Sequence, residues 1–330
     1  MHRAQHRIPC LMMGLLLLLV APVLIQAQEV SPLDDLADCG YSDLLDEPGL
    51  SLGAVVLNIQ NGQGCAENLD QSFHVASVPK IFVAGAVYEA LSNGSRSPDE
   101  RITFTEPYWM GGRTDCLTES FIGQWYTPQR LIEFMINCSD NAATWLLMDW
   151  LGREQVNAYV ESLGIPGIGR IIPYAEVDRA KLAFADSRWE EVPAGMASRY
   201  YRARISNGLS TYFGSSLPDV DRSEYISLNQ QYFDSYRTNT ITPRAMAQYF
   251  LLLRQRALTG DPAAINTLDV MLYTQRLYSV QDVPGTVYIG GKNGFDRGLL
   301  AEVSVLYSTL LQRIPSGIVI VFGRYPELTP

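Results

Sequence analysis

Apolar positions along this chain fall into recognisable runs. From Ser51 to Ile59 they form a β-type stretch, and Asn61-Gly62 marks a tight turn into a second strand, so the pair reads as a hairpin. Ile81, Phe82, Val83, Ala84, Ala86, Val87, Tyr88, Ala90 and Leu91 make the next segment apolar almost all round, which predicts a central, buried helix. Pro79 stands at or near its first turn, where a missing N–H costs nothing, with Ser77 or Val78 as the cap. Asn93-Gly94 ends it. Thr127-Pro128 opens a helix with Leu131, Phe134 and Met135 on one face. Helices over 142–151 and 153–163 close at Gly152 and Gly164. Thr242-Pro243 opens another, carrying Met246, Phe250 and Leu253, and 262–278 also reads as helical. Stretches rich in Val, Ile and Tyr at 286–291, 299–308 and 317–323 are strands. Residues 31–48 read as a short polar helix ending at Pro48. Residues 185–238, rich in Tyr, Ser and Arg, show little periodicity and read as an insertion.

Strands, then many helices, then strands indicate an α+β fold rather than alternating βαβ units. The simplest assembly is one antiparallel sheet from the N- and C-terminal strands (28–75 plus 239–330), flanked by helices. An all-helical domain (76–238, including the 185–238 insertion) is inserted between them. No internal repeat is visible.

Composition narrows the class. Arg3 and Arg7, the apolar stretch Leu11 to Ile25 and the small residue Ala27 read as an export signal over 1–27, with an uncleaved anchor as the alternative. About 15 apolar residues is short for a span, which needs roughly 20. Cleavage would leave 23 basic against 35 acidic side chains, a formal charge of −12, with no basic tract to neutralise phosphates. Nucleic acid is therefore not an expected partner, and a membrane is one only if the signal stays attached. The expected location is secreted or periplasmic. Cys39, Cys65, Cys116 and Cys138 remain for two disulfides. Three pairings are open, and Cys39–Cys65 with Cys116–Cys138 closes the shortest loops. No Cys-x-x-Cys spacing exists, and His74 is the sole histidine beyond the signal. A histidine-rich metal site is thereby excluded, and a Ser-His-Asp triad disfavoured.

The chain writes 22 of its 25 basic residues as Arg and only three as Lys. Arg cannot release its proton at an accessible pH and Lys can, so the surviving lysines carry information. Lys80 lies in Ser77-Val78-Pro79-Lys80 and Lys292 in Lys292-Asn293-Gly294, with Ser139-Asp140-Asn141 between them; Lys181 belongs to no pattern. By chance Ser-x-x-Lys is expected roughly 0.2 times and Ser-Asp-Asn about 0.05 times, so the ordered set is far more telling than any member. Read singly, Ser77 would be a helix cap, Asp140-Asn141 a turn and Lys292 a surface ion pair. Chemically, Ser77 at a helix start meets unpaired N–H groups and a favourable dipole. Lys80, three residues on, lies within reach of its hydroxyl. A desolvated lysine beside another cation can act as a base.

With these motifs the chain resembles the penicillin-recognising serine hydrolases, which include class A β-lactamases and the D,D-peptidases. The segments 99–105, 126–144 and 240–247 are similar to that family's as well, and the likeness spans roughly 50–184 and 239–325. The resemblance implies Ser77 as the acylated nucleophile, Lys80 as base or relay, and Ser139 passing a proton to the leaving nitrogen. It implies Asn141 holding a substrate amide and Lys292 binding a substrate carboxylate and polarising Ser139. Asn293 and Gly294 would line the substrate site, and the N–H groups of Ser77 and Phe295 would form the oxyanion hole. The substrate is then a β-lactam or cell-wall-type peptide, acted on by a monomer needing neither metal nor organic cofactor.

Two departures follow. Asn293 stands where the family carries Thr or Ser, though an amide also donates a hydrogen bond. The deacylating glutamate, followed by Leu-Asn in class A β-lactamases, has no clear counterpart. Glu176 and Glu190 are the candidate bases, neither followed by Leu-Asn, and each reads more readily as a solvated loop carboxylate. Weak turnover of β-lactams is therefore expected, as in a penicillin-binding protein or sensor. The 185–238 insertion, with Tyr200, Tyr201, Tyr212 and Phe213, is either a wall beside the site or a surface excursion.

Overall fold

The computed structural model describes residues 33–41, 49–111, 116–207, 220, 225–272, 288–309 and 314–325. The export signal, Tyr212 and Phe213 lie outside them. Six strands form one mixed sheet in the order β1-β3-β2-β10-β9-β8. The strands are β1 (Ala37–Asp38), β2 (Ser51–Asn58), β3 (Gly64–Glu67), β8 (Tyr288–Asp296), β9 (Leu299–Tyr307) and β10 (Gly317–Arg324). The N-terminal hairpin joins the C-terminal strands as expected: β2 runs antiparallel to β10, from Ser51 opposite Arg324 to Asn58 opposite Gly317. At the other edge β1 pairs parallel with β3, Ala37 opposite Cys65. The segment expected to be helical over 31–48 is thus a strand at 37–38. The Cys39–Cys65 disulfide and the burial of Leu33 draw it onto the sheet, and 42–48 lie outside the described residues. Two short ladders stand apart, β4 (Phe73–His74) with β7 (Thr240–Ile241) and β5 (Ile102–Thr103) with β6 (Trp125–Tyr126).

Among the described residues nine α-helices surround this sheet. They are α1 (Lys80–Ser92), α2 (Pro128–Asn137), α3 (Asn141–Leu151), α4 (Arg153–Ser162), α5 (Tyr174–Ala185), α6 (Ala194–Asn207), α7 (Tyr225–Ser235), α8 (Pro243–Leu258) and α9 (Pro262–Met271). The two Thr-Pro caps are those read from the sequence, whereas the cap of α1 is Pro79 rather than Ser77 or Val78. Thr127 accepts from Arg130 N at 3.3 Å and Thr242 from Ala245 N at 3.1 Å, each followed by Pro at the first helical position. Helix α1 is buried on nearly every side and packs against α2, α3, α4 and α9. Gly85 lets it sit that close: a Cβ there would meet the hydroxyls of Tyr249 and Tyr159, at 2.4 and 2.6 Å.

The region read as an aperiodic insertion contains α6 and α7. Their buried stripes are Ala197-Tyr200-Tyr201 and Leu228-Tyr232, at helical spacing but written largely in tyrosine, so an aliphatic pattern was absent. Helix α5 carries Glu176, a residue expected on a loop. The predicted strand at 286–291 runs on through Lys292 and Gly294 to Asp296, where glycines mask its β character. Among the described residues no helix is long and apolar enough to cross a membrane.

Candidate active site

The chain leaves β4 and turns through Val75, Ala76 and Ser77 into α1. Ala76 takes φ +41°, left-handed backbone that a non-glycine residue rarely adopts. Pro79 is the N-cap and makes no side-chain cap bond, so the hydroxyl of Ser77 is not consumed as a cap. The Ser77 N–H has no acceptor among the described residues. Lys80, first residue of α1, is fully buried, and its Nζ lies 3.0 Å from Ser77 Oγ.

The turn between α2 and α3 brings the second motif to the same nitrogen. Asp140 is buried and caps α3, accepting from Ala143 N and, with its other oxygen, from Leu117 N, both at 2.7 Å. The Cys116–Cys138 disulfide ties the Leu117 segment to the residue before Ser139. Asp140 is therefore the brace of this motif. Ser139, at φ +56°, and Asn141 flank it and reach Lys80. Nζ lies 2.5 Å from Ser139 O, 2.6 Å from Asn141 Oδ1 and 3.1 Å from Ser139 Oγ.

These distances define a chemistry. An ammonium has three N–H bonds, and the carbonyl oxygens of Ser139 and Asn141, which can only accept, take two. The third direction meets two hydroxyls, at 3.0 and 3.1 Å. A hydroxyl can accept from Lys80–NH3+ or donate to the lone pair of Lys80–NH2. One nitrogen can thus take a proton from Ser77 and return it through Ser139. Because Asn141 Oδ1 faces Lys80, its Nδ2 is the group left for a ligand carbonyl.

Strand β8 forms the opposite wall. Gly294 is required by its closeness: a Cβ would lie 2.6 Å from Ser77 N, 2.6 Å from Val75 O and 3.0 Å from Ala76 Cβ. Lys292 is buried, and desolvation pulls it down to about 7. Its Nζ donates to Asn293 O at 2.7 Å, with Asn293 Oδ1 at 3.5 Å. The polarising contact from Lys292 to Ser139 expected from the sequence is absent; Lys80 occupies that position. Phe295 is 54 % exposed at the rim.

A cavity of about 630 Å³ joins these walls, lined by Ser77, Ser139, Asn141, Lys292, Asn293, Gly294 and Phe295 among others. The two glutamates are not among its lining residues. Glu176 is in the first turn of α5, ion-paired to Arg153, which also holds Asp149. Glu190 is exposed on a 3-10 turn, Ser187–Glu191. The carboxylates that do line the cavity, among the described residues, are Asp178 and Asp296. Asp178 Oδ2 accepts from Ser198 Oγ at 2.6 Å and Arg202 Nε at 3.2 Å, while its Oδ1 has no hydrogen-bond partner among the described residues; burial pushes this carboxyl upward. Lys181, which no motif flagged, is buried here and ion-pairs with Asp296. Tyr174, Asp178 and Lys181 recur at helical spacing along the cleft-facing side of α5. That spacing was the available signal, but it falls where no helix was expected. His74 makes no hydrogen bond to Ser77, Lys80 or Ser139. Its Nε2 lies 3.0 Å from Tyr236 O and 3.2 Å from Phe233 O, and desolvation holds the ring down at about 4. Tyr201 and Arg202 of α6 and Tyr232 and Phe233 of α7 also line the cavity. Tyr200 is buried, and its hydroxyl accepts from Val220 N at 3.0 Å. Among the described residues no group of His, Cys, Asp and Glu is placed to hold a metal ion.

A mixed sheet flanked by helices, with α1 buried among them, is the fold of class A β-lactamases. An engineered variant of a reconstructed class A β-lactamase, the last common ancestor from Gram-negative bacteria, superposes with a TM-score of 0.58 at 19% identity, over 91% of each chain. PBP-A gives 0.54 at 18%, over 86% of this chain and 85% of its own, and a mutant of it was captured as an acyl-enzyme with penicillin G. A β-lactamase from Sphaerobacter thermophilus gives 0.53 at 20%, over 86% of each. At such identities these likenesses establish the fold alone. No curated protein matches by sequence. The chain belongs to the β-lactamase enzyme family, whose model matches residues 41–315.

Proposed function

We propose that the protein is an exported serine hydrolase. It forms an acyl-enzyme on Ser77 from a β-lactam, amide or ester carbonyl and clears that adduct slowly. One observation carries the reading: a buried lysine nitrogen lies within 3.1 Å of two serine hydroxyls while two carbonyl oxygens fix its other bonds. Neutral Lys80 takes the Ser77 proton as Oγ attacks the carbonyl carbon. The resulting oxyanion faces the N–H groups of Ser77 and Phe295. The carbon–nitrogen or carbon–oxygen bond then breaks, and Ser139 hands the leaving group a proton, replaced from Lys80. Asn141 Nδ2 holds the substrate's amide oxygen, and Lys292 with Asn293 binds its carboxylate.

Slow clearance is supported by the carboxylates. Glu176 is committed to Arg153, Glu190 is exposed, and Asp178 is engaged by Ser198 and Arg202. A hydrolytic water in the cavity therefore meets neither glutamate, so a D,D-peptidase, esterase or sensor is favoured over rapid β-lactam turnover. The test is an intact-mass time course with benzylpenicillin, with Ser77→Ala alongside. A persistent single adduct absent from the variant supports the reading. Product without an accumulating adduct would refute slow clearance, and an adduct surviving in Ser77→Ala would refute the nucleophile.

A further inference from the structure

We infer that Tyr174 is a positioning residue of this site: its hydroxyl fixes the carbonyl before the nucleophile, and its ring sets how readily Lys80 holds its proton. The inference rests on reading Ser77 and Lys80 as nucleophile and base. No sequence motif contains Tyr174, and nothing in the Ser-Lys chemistry requires an aromatic residue there.

Two contacts place it. The Tyr174 hydroxyl donates to the backbone oxygen of Ala76. Ala76 is the left-handed residue, φ +41°, whose orientation decides where Ser77 Oγ and the Ser77 N–H point. Such a conformation persists only when its surroundings over-determine it, and an anchor 98 positions away in sequence supplies one constraint. The ring meanwhile lies 4.8 Å from Lys80 Nζ, measured to its centroid. An aromatic face favours the charged ammonium. Burial pushes the Tyr174 phenol well above its ordinary range, so it stays a neutral donor throughout the working pH range and is no base itself.

The two contacts separate by substitution. Tyr174→Phe removes the bond to Ala76 and keeps the ring beside Lys80. Tyr174→Met and Tyr174→Leu remove both. The other titratable groups bordering the cleft stay constant in all three: Asp178 and Lys181 on α5, Tyr201 and Arg202 on α6, Tyr232 on α7, His74 on β4, and Lys292 and Asp296 on β8.

With only three lysines in the chain, each titration can be followed directly in protein labelled with 13Cε-lysine, assigned through Lys181→Arg and Lys292→Arg. Losing the ring should lower the Lys80 midpoint by about half a pH unit or more in Tyr174→Met and Tyr174→Leu, with Tyr174→Phe titrating as wild type. At saturating benzylpenicillin, Tyr174→Phe should form the Ser77 adduct about tenfold more slowly with unchanged affinity. Unshifted Lys80 midpoints in both aliphatic variants overturn the role of the ring. Wild-type acylation by Tyr174→Phe overturns the role of the hydroxyl. Absence of any adduct on wild-type Ser77 refutes the parent reading instead, and the lysine titrations then still decide the effect of the ring.

Discussion

Replacing Gly294 by Ala tests whether the close approach of β8 to the nucleophile turn serves chemistry rather than packing. The added Cβ would lie 2.6 Å from both Ser77 N and Val75 O and 3.0 Å from Ala76 Cβ. Ordinary contact begins near 3.4 Å, so the backbones must part by roughly 0.8 Å. Two of the three obstructing atoms are backbone, and none is the end of a flexible side chain. Forcing such a shift costs about 1–3 kcal/mol of stability. The same shift carries the Phe295 N–H away from the Ser77 N–H, and a displacement near 1 Å in a reacting geometry costs about 100-fold in rate. Gly323→Ala on β10 is the control, because its Cβ would meet nothing closer than Leu300 O at 3.8 Å. Urea unfolding and the rate of Ser77 acylation, measured by intact mass, read the two effects separately. Gly294→Ala should lose both stability and about two orders of magnitude in acylation, with Gly323→Ala changing neither. Acylation of Gly294→Ala within about threefold of wild type would refute the claim that this contact sets the oxyanion geometry.

Other outcomes follow from the charges. The folded protein keeps His74 near pH 4 while the unfolded chain protonates it near 6.5, so the unfolded state binds the extra proton between those values and stability falls as pH falls through that window. The loss should approach about 3 kcal/mol by pH 4. His74→Gln should flatten that part of the urea-midpoint profile; an unchanged slope would place the titration elsewhere. Burial lowers Lys292 to about 7, so it loses its charge as pH rises through neutrality. Acylation kcat/KM for a carboxylate-bearing substrate should then fall about tenfold per unit above that point. An uncharged ester without a carboxylate should show no such limb, and an identical limb for both would refute carboxylate binding by Lys292. Glu176→Gln should leave the lifetime of the Ser77 adduct unchanged and cost no more than about 1 kcal/mol, since its partner is Arg153 at a half-exposed site. A longer-lived adduct in that variant would reinstate Glu176 as the deacylating base.

Much of the fold was legible because its signals were local. Thr-Pro caps at 127–128 and 242–243, Asn-Gly at 61–62 and 93–94, and the all-round apolar α1 each specify one element without help from the rest of the chain. The misreadings share a cause of the opposite kind. The strand at 37–38 exists because a disulfide and a buried Leu33 bring it to β3, a long-range event no window of sequence contains. Helices α6 and α7 bury Tyr200, Tyr201 and Tyr232 beside only Ala197 and Leu228 as aliphatic positions of their stripes. Tyrosine carries a polar tip, so a reading built on apolar stripes passes over it.

The site divides along the same line. Ser77, Lys80, Ser139, Asn141, Lys292 and Gly294 announce themselves because each motif lies within at most four consecutive residues. Tyr174, Asp178 and Lys181 do not, because they are linked only by the periodicity of an unrecognised helix. The two motif lysines also differ in a way composition cannot express. Both are buried, yet Lys80 meets four oxygens and Lys292 is bonded to its neighbour's carbonyl. On the proposed mechanism Lys80 therefore trades its proton with hydroxyls fixed by the fold. Lys292, poised at about 7 by desolvation alone, is held charged most effectively by what enters the cleft. A ligand carboxylate arriving there would raise its affinity for a proton, so binding should itself take up protons from solution at pH 8. Calorimetry of a carboxylate ligand in two buffers of different ionisation enthalpy measures that uptake. Zero protons per ligand at pH 8 would mean Lys292 is already charged, and that desolvation is not the force that governs it.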